Sequence, residues 1–157
     1  MKNILMLHGV NHNMYGHRNP EFYGTSTLED INTLLIEEAK SLGGVEIEFF
    51  QSNYEGAWVD KINEAFHKKV DAVLMNPAAW SFYSLAIHDA LEILECPIVE
   101  IHMSNIFART NLGPSVTAPV ASCMIAGLGA ESYPLALRAA IKLIEAKSPH
   151  TNDKQYQ

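Results

Sequence analysis

The two residues best suited to acid–base chemistry are Glu100 and His102. They lie two positions apart in an apolar run at 97–101 and its flank, which predicts a buried strand. Residues two apart on a strand point to the same face, so the carboxylate can orient the imidazole and favour the protonated form that a general acid requires. The alternative is a strand-end histidine that only satisfies backbone groups.

A second candidate pair lies in the segment 9–26, which is rich in Gly, Asn, His and Pro and has no helical or strand period. A stretch of this kind in a small domain is usually functional, and we interpret it as a lid. It carries Arg18 and Tyr23, with Pro20 stiffening the chain between them. A phenol acts as a base only when a nearby cation stabilises its phenolate, and Arg18 can supply that charge. A stacked surface contact is the alternative.

Metal binding is not favoured by the spacing of the histidines. His8, His12 and His17 could be combined with His102, but the spacing matches no standard site and no acidic cluster accompanies it. We interpret the first three as solvent-exposed or loop-bonding. Two cysteines lie far apart in apolar segments and are predicted to be buried free thiols, Cys96 and Cys123.

The elements that must position these residues alternate between strands and helices. Apolar runs predict strands at 3–7, 45–51, 72–75, 97–101 and 121–126. Helices are predicted from a capping box at 26–29 to a stop at Gly43, and at 55–68, 83–94 and 133–146. The last helix is expected to direct one stripe inward, formed by Leu135, Ala139, Leu143 and Ala146.

This alternation predicts an α/β fold, a flavodoxin-like three-layer sandwich with a five-stranded parallel sheet. Ligands of such sheets bind at the carboxyl ends of the strands, where the strand order switches. Polar residues stand at three of these ends, which we expect to converge on one crevice. They are the residues from His8 to Asn13, Asn76 after the third strand, and Glu100, His102, Ser104 and Asn105 at the fourth.

Composition restricts the function further. The chain has 157 residues, 48% hydrophobic and 18% charged, which predicts one domain at 1–147 and a polar tail at 148–157. A net charge of −7 without a Lys/Arg run argues against nucleic-acid binding. No window approaches the ~20 apolar residues of a membrane span. We expect a cytoplasmic protein that acts on a small molecule.

A series of ordered motifs resembles the type II 3-dehydroquinate dehydratases over almost the whole chain up to the last helix. The family pattern of a strand, a lid with Arg-x-Pro and Tyr-Gly, and a Thr-Leu helix is similar to the first thirty residues. Further motifs follow in the family's order. The matching motifs are His8-Gly9-Val10-Asn11, Arg18-Asn19-Pro20, Tyr23-Gly24, Thr27-Leu28-Glu29-Asp30, Gln51-Ser52-Asn53-Tyr54-Glu55-Gly56, Asn76-Pro77-Ala78-Ala79, Glu100 to Asn105, Ala108-Arg109, Gly127-Leu128-Gly129 and Leu135-Ala136-Leu137-Arg138.

The resemblance implies a hydro-lyase of the shikimate pathway, and so of aromatic amino acid biosynthesis, which removes water from 3-dehydroquinate in the trans sense through an enolate. It needs no metal or organic cofactor. Tyr23, activated by Arg18, would take the proton, His102 beside Glu100 would protonate the departing hydroxyl, and Asn11 would stabilise the enolate through an ordered water. The positions implied for substrate binding are Asn76, Ser104, Asn105, Asp89, Arg109 and Phe82.

The family also implies a homo-oligomer, a dodecamer built of trimers, in which Asp89 reaches towards a neighbouring site.

Several contact positions depart from the family pattern. Phe82 and Gly113 stand where the family has a histidine and an arginine, His12 replaces an apolar residue, and the stretch at Asn111 is shorter by one. An alternative function is therefore a paralogue that applies the same Tyr/Arg/His chemistry to another carboxylated ketone or cyclic substrate. A third possible function is that of a catalytically silent binding or assembly protein. The joint retention of the catalytic residues argues against it.

Overall fold

A five-stranded parallel sheet with the order β2-β1-β3-β4-β5 forms the centre of the protein, seen in a computed structural model that describes residues 1–109 and 112–147. The strand order changes direction between β1 and β3, so the predicted α/β, flavodoxin-like sheet is confirmed. The strands are β1 Lys2–His8, β2 Val45–Gln51, β3 Ala72–Asn76, β4 Ile98–His102 and β5 Cys123–Ala126.

Alternation along the buried strands builds an apolar layer on each side of the sheet. In β1, Ile4 and Met6 join the core on the side of the sheet covered by helices 28–42 and 132–146, whereas Leu5 and Leu7 join the core on the side covered by helices 55–68 and 85–92. All four side chains are at most 1% exposed, and each contributes about 1.5–3 kcal/mol of burial free energy. The helices are α1 Pro20–Tyr23, α2 Leu28–Leu42, α3 Glu55–Lys68, α4 Leu85–Glu92 and α5 Ser132–Ala146.

The capping box of α2 lies one residue later than predicted. The Thr27 hydroxyl accepts a hydrogen bond from the Asp30 amide at 3.1 Å, and the Asp30 carboxylate accepts one from the Thr27 amide at 2.9 Å. Ser26 with Glu29 offers the same chemistry one residue earlier, so the local pattern alone does not choose between the two. In the folded chain Thr27 is the N-cap residue, and Ile31 and Leu35 lie in the core.

The inward stripe predicted for α5 is confirmed in part, because Ala139 and Leu143 are partly buried and pack against the core. Leu135 is 42% exposed and Ala146 is exposed, whereas the helix buries a set displaced by one or two positions. Both sets keep helical spacing, so the choice depends on which face meets β3 and β4. The buried set comprises Ser132, Tyr133, Ala136, Leu137, Ala140 and Ile141.

Other boundaries and exposures differ more modestly. Helix α4 begins after Ser84, whose hydroxyl accepts a hydrogen bond from the Ile87 amide at 3.1 Å, and it ends two residues before the predicted Leu94. The cysteines are free but only half-buried. No helix within 1–109 or 112–147 is long and apolar enough to cross a membrane. The predicted tail at 148–157 lies outside the described residues.

The segment 9–26, predicted to be a loop because it has no helical or strand period, contains two short helices. A 3-10 turn at His12–Met14 follows β1, and α1 begins where the Asn19 side chain accepts a hydrogen bond from the Glu21 amide at 3.0 Å. Pro20 occupies the first helical position, where its missing amide hydrogen carries no cost. The helix is too short to show a period in the sequence, yet it fixes the direction of Tyr23.

Gly9 makes a close approach that a side chain would disturb. A Cβ atom at this position would lie 2.5 Å from the Asn76 carbonyl oxygen and 2.9 Å from Pro77 backbone atoms. We expect Gly9→Ala to lower the free energy of unfolding by about 1–3 kcal/mol, since backbone atoms of β3 would have to move. Gly56→Ala in α3 is the matched control, because no atom lies within 4 Å and alanine is the better helix former. Urea unfolding curves that show equal stability for the two variants would contradict this account.

Candidate functional site

A cavity opens where β1, β3 and β4 end, at the switch in strand order. It encloses about 600 Å³, part of which is open to solvent. The prediction that residues from separate strand ends converge on one crevice is confirmed. The predicted residues that line it are Asn11, Arg18, Tyr23, Asn76, Phe82, His102, Ser104 and Arg109, and the lining residues without a predicted site role include Val10, His12, Tyr15, Met103, Ile106 and Leu112.

Arg18 and Tyr23 lie together, as predicted. The guanidinium carbon of Arg18 is 4.0 Å from the centroid of the Tyr23 ring, a cation–π distance. Phe22 precedes Tyr23 on the short helix α1. The guanidinium carbon of Arg109 is 4.5 Å from the centroid of the Phe22 ring. Two cations therefore border the cavity next to the phenol of Tyr23, and both can attract an anionic ligand.

Two other tyrosines near the cavity remain neutral phenols. Burial raises the pKa of Tyr133 to about 12 and raises the pKa of Tyr15 further, well above its usual range. Their hydroxyl groups are 3.3 Å apart and share a hydrogen bond. Because a buried phenol resists ionisation, neither can serve as a base near neutral pH. Tyr23 is the half-buried tyrosine with a cation over its ring, and it is the better candidate.

His102 is held from behind by Glu100, which confirms that the two side chains share a face. The His102 Nε2 and Glu100 Oε1 atoms are 3.2 Å apart, and both side chains are almost fully buried. A carboxylate can only accept, so Nε2 carries the hydrogen and Nδ1 is the nitrogen left for a ligand. Glu100 Oε1 also accepts a hydrogen bond from the Thr117 hydroxyl at 2.6 Å.

Thr117 had no predicted role. It is fully buried and comes from the loop before β5, seventeen positions after the carboxylate it contacts. No spacing rule links two residues so far apart, and the contact exists only in the folded chain. The other oxygen, Glu100 Oε2, is buried without a hydrogen-bond partner in the described part of the chain. A buried carboxylate this sparsely bonded is costly and points to function rather than stability.

The Asn76 amide is occupied by protein contacts. Its nitrogen donates to the Tyr133 hydroxyl at 2.9 Å and to the Tyr15 hydroxyl at 3.3 Å, and its oxygen accepts from the Ala78 amide at 3.2 Å. The side chain thus shapes the turn after β3, where Ala78 has a positive φ of 52°. Its predicted contact with substrate stays a prediction.

Two residues at the end of β2, Gln51 in the strand and Asn53 after it, hold the loop that carries Asn11. The Asn11 amide donates to the Asn53 side-chain oxygen at 2.8 Å, in a left-handed backbone conformation with φ 65°. Gln51 donates to the Gly9 carbonyl and to the same Asn53 oxygen, each at 3.2 Å. The Gln-Ser-Asn motif contributed to the family resemblance, but the sequence did not reveal that it supports the first loop.

The three early histidines differ in environment. His17 is exposed as predicted, and His12 bonds the loop backbone as predicted. His8, in contrast, is buried, with 1% of its surface exposed. Its Nε2 atom is 2.8 Å from the side-chain oxygen of Asn32, a hydrogen-bond distance. Burial lowers the pKa of His8 to about 4, although the bond to Asn32 opposes this shift. The sequence predicts His8 to be exposed or bonded to a loop, whereas it is the last residue of β1 and is covered by the packed helices.

Some predicted residues lie away from the cavity. Glu100 stands behind His102, Asn105 is exposed beside Gly127, and Asp89 is exposed on α4. Within the described ranges, one group of three potential metal ligands occurs, formed on that helix by His88, Asp89 and Glu92, and none of the cavity histidines belongs to it. Asn111 lies outside the described residues.

Comparisons with known proteins agree with this geometry. A family model described as dehydroquinase class II matches residues 2–141. The chain is 48% identical over 149 residues to the 3-dehydroquinate dehydratase of Syntrophotalea carbinolica, covering 94% of this chain and 100% of the relative. It is 50% identical over 145 residues to that of Leptothrix cholodnii, covering 92% and 97%.

Solved structures point the same way. The type II dehydroquinase of Butyrivibrio crossotus superposes with a TM-score of 0.85 at 37% identity, covering 89% of this chain and 97% of that one. A 3-dehydroquinate dehydratase-like protein from Bifidobacterium longum gives a TM-score of 0.67 at 31% identity, covering 92% and 99%. Sequence matches at nearly half identity over nearly the full length, with this shared architecture, establish that the chain belongs to the class II dehydroquinase family.

Proposed function

We propose that the protein is a lyase that dehydrates 3-dehydroquinate to 3-dehydroshikimate. The observation that carries this proposal is one cavity that combines a phenol under a guanidinium with an imidazole held by a buried carboxylate, namely Tyr23 with Arg18 and His102 with Glu100. A base and an acid in one pocket are what an elimination of water needs. We take the identity of the substrate from the relatives, which are named 3-dehydroquinate dehydratase.

The chemistry follows from these positions. The Tyr23 phenolate takes a proton from the carbon beside the ketone, and the electrons of that C–H bond form an enolate. The enolate then collapses and the bond to the hydroxyl oxygen breaks. His102 reacts as the imidazolium, with Nε2–H held by Glu100, and gives its Nδ1 proton to that oxygen so that water leaves. We assign Asn11 to enolate stabilisation through an ordered water, and Ser104 to the substrate carboxylate. Asn76 joins Ser104 in this role when the carboxylate replaces a tyrosine hydroxyl as the acceptor of one of its N–H groups. Proton exchange with solvent restores both groups.

The apolar ring of Phe82 at the cavity is the observation behind the alternative of a less hydroxylated substrate. A substrate hydroxyl buried without a partner costs about 1–3 kcal/mol. The relatives named for dehydroquinate at 48–50% identity weigh more heavily, so dehydroquinate is the substrate we propose. A matched comparison of kcat/KM for dehydroquinate and for analogues lacking a ring hydroxyl separates the two.

We further propose a cytoplasmic homododecamer built of trimers, in which Asp89 is directed to a neighbouring site. Asp89 is exposed and does not line the cavity of its own chain, which is compatible with a role across an interface. Light scattering should give the mass of about twelve chains. A monomer at micromolar concentration with full activity would exclude a shared site.

Removing the base or the acid should abolish most of the activity. We expect Tyr23→Phe and His102→Ala each to lower kcat by roughly 10²–10⁴-fold, because each removes a proton-transfer group. Turnover is measured by the absorbance of the conjugated enone product. The controls are Tyr54→Phe and His67→Ala, since both side chains are exposed and lie outside the cavity. Near-normal kcat in either cavity variant would refute the assigned role.

Thr117 should act as a positioning residue through Glu100. Thr117→Val removes the hydroxyl donor at nearly constant shape, so we expect kcat to fall by roughly 10- to 100-fold while KM changes little, as for loss of one hydrogen bond to a charged group. Thr117→Ser keeps the donor and should retain most of kcat. Equal losses in both variants, or a change confined to KM, would argue that the hydroxyl does not act on His102.

A further inference from the structure

His12 is a buried cavity residue to which no chemical role was assigned above. It is 1% exposed, and its ring stacks on Tyr15 with the centroids 4.5 Å apart and the planes 19° apart. It lines the same cavity as Arg18 and His102. Here the chain carries an imidazole where the family pattern has an apolar side chain, so the ring adds a polar group to the pocket.

The hydrogen bonds of His12 define its tautomer. The Gly9 amide donates to Nδ1 at 2.8 Å, and a backbone N–H can only donate. Nδ1 must therefore present its lone pair, which places the single hydrogen of the neutral ring on Nε2. No hydrogen bond to Nε2 is formed among the residues in the two described ranges. Tyr15 covers one face of the ring, so Nε2 is the polar atom left for a ligand.

The charge state supports the same assignment. Burial lowers the pKa of His12 well below its usual value, and the neighbouring groups His8, Arg18 and His102 lower it further. Protonation would also place a hydrogen on Nδ1, directly against the Gly9 amide. The ring therefore stays neutral near neutral pH and offers one hydrogen-bond donor without a charge.

We propose that His12 is a specificity-determining residue whose Nε2–H donates a hydrogen bond to an uncharged ring oxygen of the substrate, a hydroxyl or the ketone. This inference rests on the proposed dehydratase function and deepens it. The anionic carboxylate of the substrate, assigned above to the region of Ser104, is matched in charge by Arg18 and Arg109, which both border the cavity. A neutral donor suits a neutral oxygen, and Phe82 leaves the cavity without a donor at its own position. A pocket built around such a donor discriminates against analogues that lack the oxygen.

Two variants separate the donor from the structural bond. His12→Asn keeps an acceptor near the Nδ1 position for the Gly9 amide but no longer reaches the Nε2 position. His12→Gln reaches the Nε2 position with an amide nitrogen. We expect His12→Asn to fold and to lower kcat/KM for dehydroquinate by about tenfold or more, the effect of one buried hydrogen bond, and His12→Gln to retain a larger share. Thermal unfolding of both variants monitors the fold.

A second measurement reads the tautomer without activity. Long-range ¹H–¹⁵N spectra of the histidine-labelled full chain near neutral pH, assigned by loss of the signal in His12→Asn, should show His12 as a neutral ring protonated at Nε2. A ring protonated at Nδ1, or on both nitrogens, would overturn the inference. So would an unaltered kcat/KM in folded His12→Asn while the unsubstituted protein turns over dehydroquinate. Absence of turnover by the unsubstituted protein would instead overturn the proposed function, and the inference that rests on it.

Discussion

The site depends on the register of the parallel strands β1, β2, β3 and β4. His8 at the end of β1 pairs with Gln51 of β2 and with Asn76 of β3, so three strands end at one level. The pairing of Met75 with Glu100 continues this alignment into β4, two residues before His102. Because all four strands run in one direction, their polar ends are brought to one edge and cannot be dispersed. A shift of one residue in any pair would turn a buried side chain of the site to the opposite layer.

Closing that edge requires hydrogen bonds between segments that are distant in the chain. The Trp58 indole donates to the His8 carbonyl at 2.9 Å, Asn53 accepts from the loop after β1, and Asn76 binds two tyrosine hydroxyls. These groups satisfy backbone and side-chain atoms that leave water when the helices cover the sheet. Burial, rather than these contacts, sets the protonation states: it raises the pKa of Tyr15 and Tyr133, which stay phenols, and lowers the pKa of His8 and His12, which stay neutral rings. We propose Tyr23 and His102, which both line the cavity, as the groups that exchange protons with the substrate.

Local charge at the cavity is opposite to that of the whole chain. The net charge is −7, yet Arg18 and Arg109 both border the pocket, each over an aromatic ring of α1. Each guanidinium group is in cation–π contact, and neither forms a salt bridge with a carboxylate within residues 1–109 and 112–147, so their charge is available to an anionic substrate. Phe22 and Tyr23 therefore each contact one guanidinium group, and Tyr23 also carries the phenol.

Most of the architecture was predictable from the sequence, since apolar runs and helical spacing act locally. The five strands, the four long helices and the pairing of Glu100 with His102 follow from periodicities of two and about 3.6 residues, which depend on backbone geometry alone. The ordered motifs were sufficient for the family. The sequence placed Ala139 and Leu143 against the core but could not decide which adjoining residues of α5 are fully buried, because neighbouring helical stripes have the same spacing and only contact with the sheet distinguishes them. It also could not show that Thr117 bonds Glu100, that Asn53 holds the loop of Asn11, or that His12 is buried with no hydrogen bond to its Nε2 from the described part of the chain. Those features arise from contacts across many residues of chain, and burial, which sets their energies and protonation states, exists only once the layers have packed.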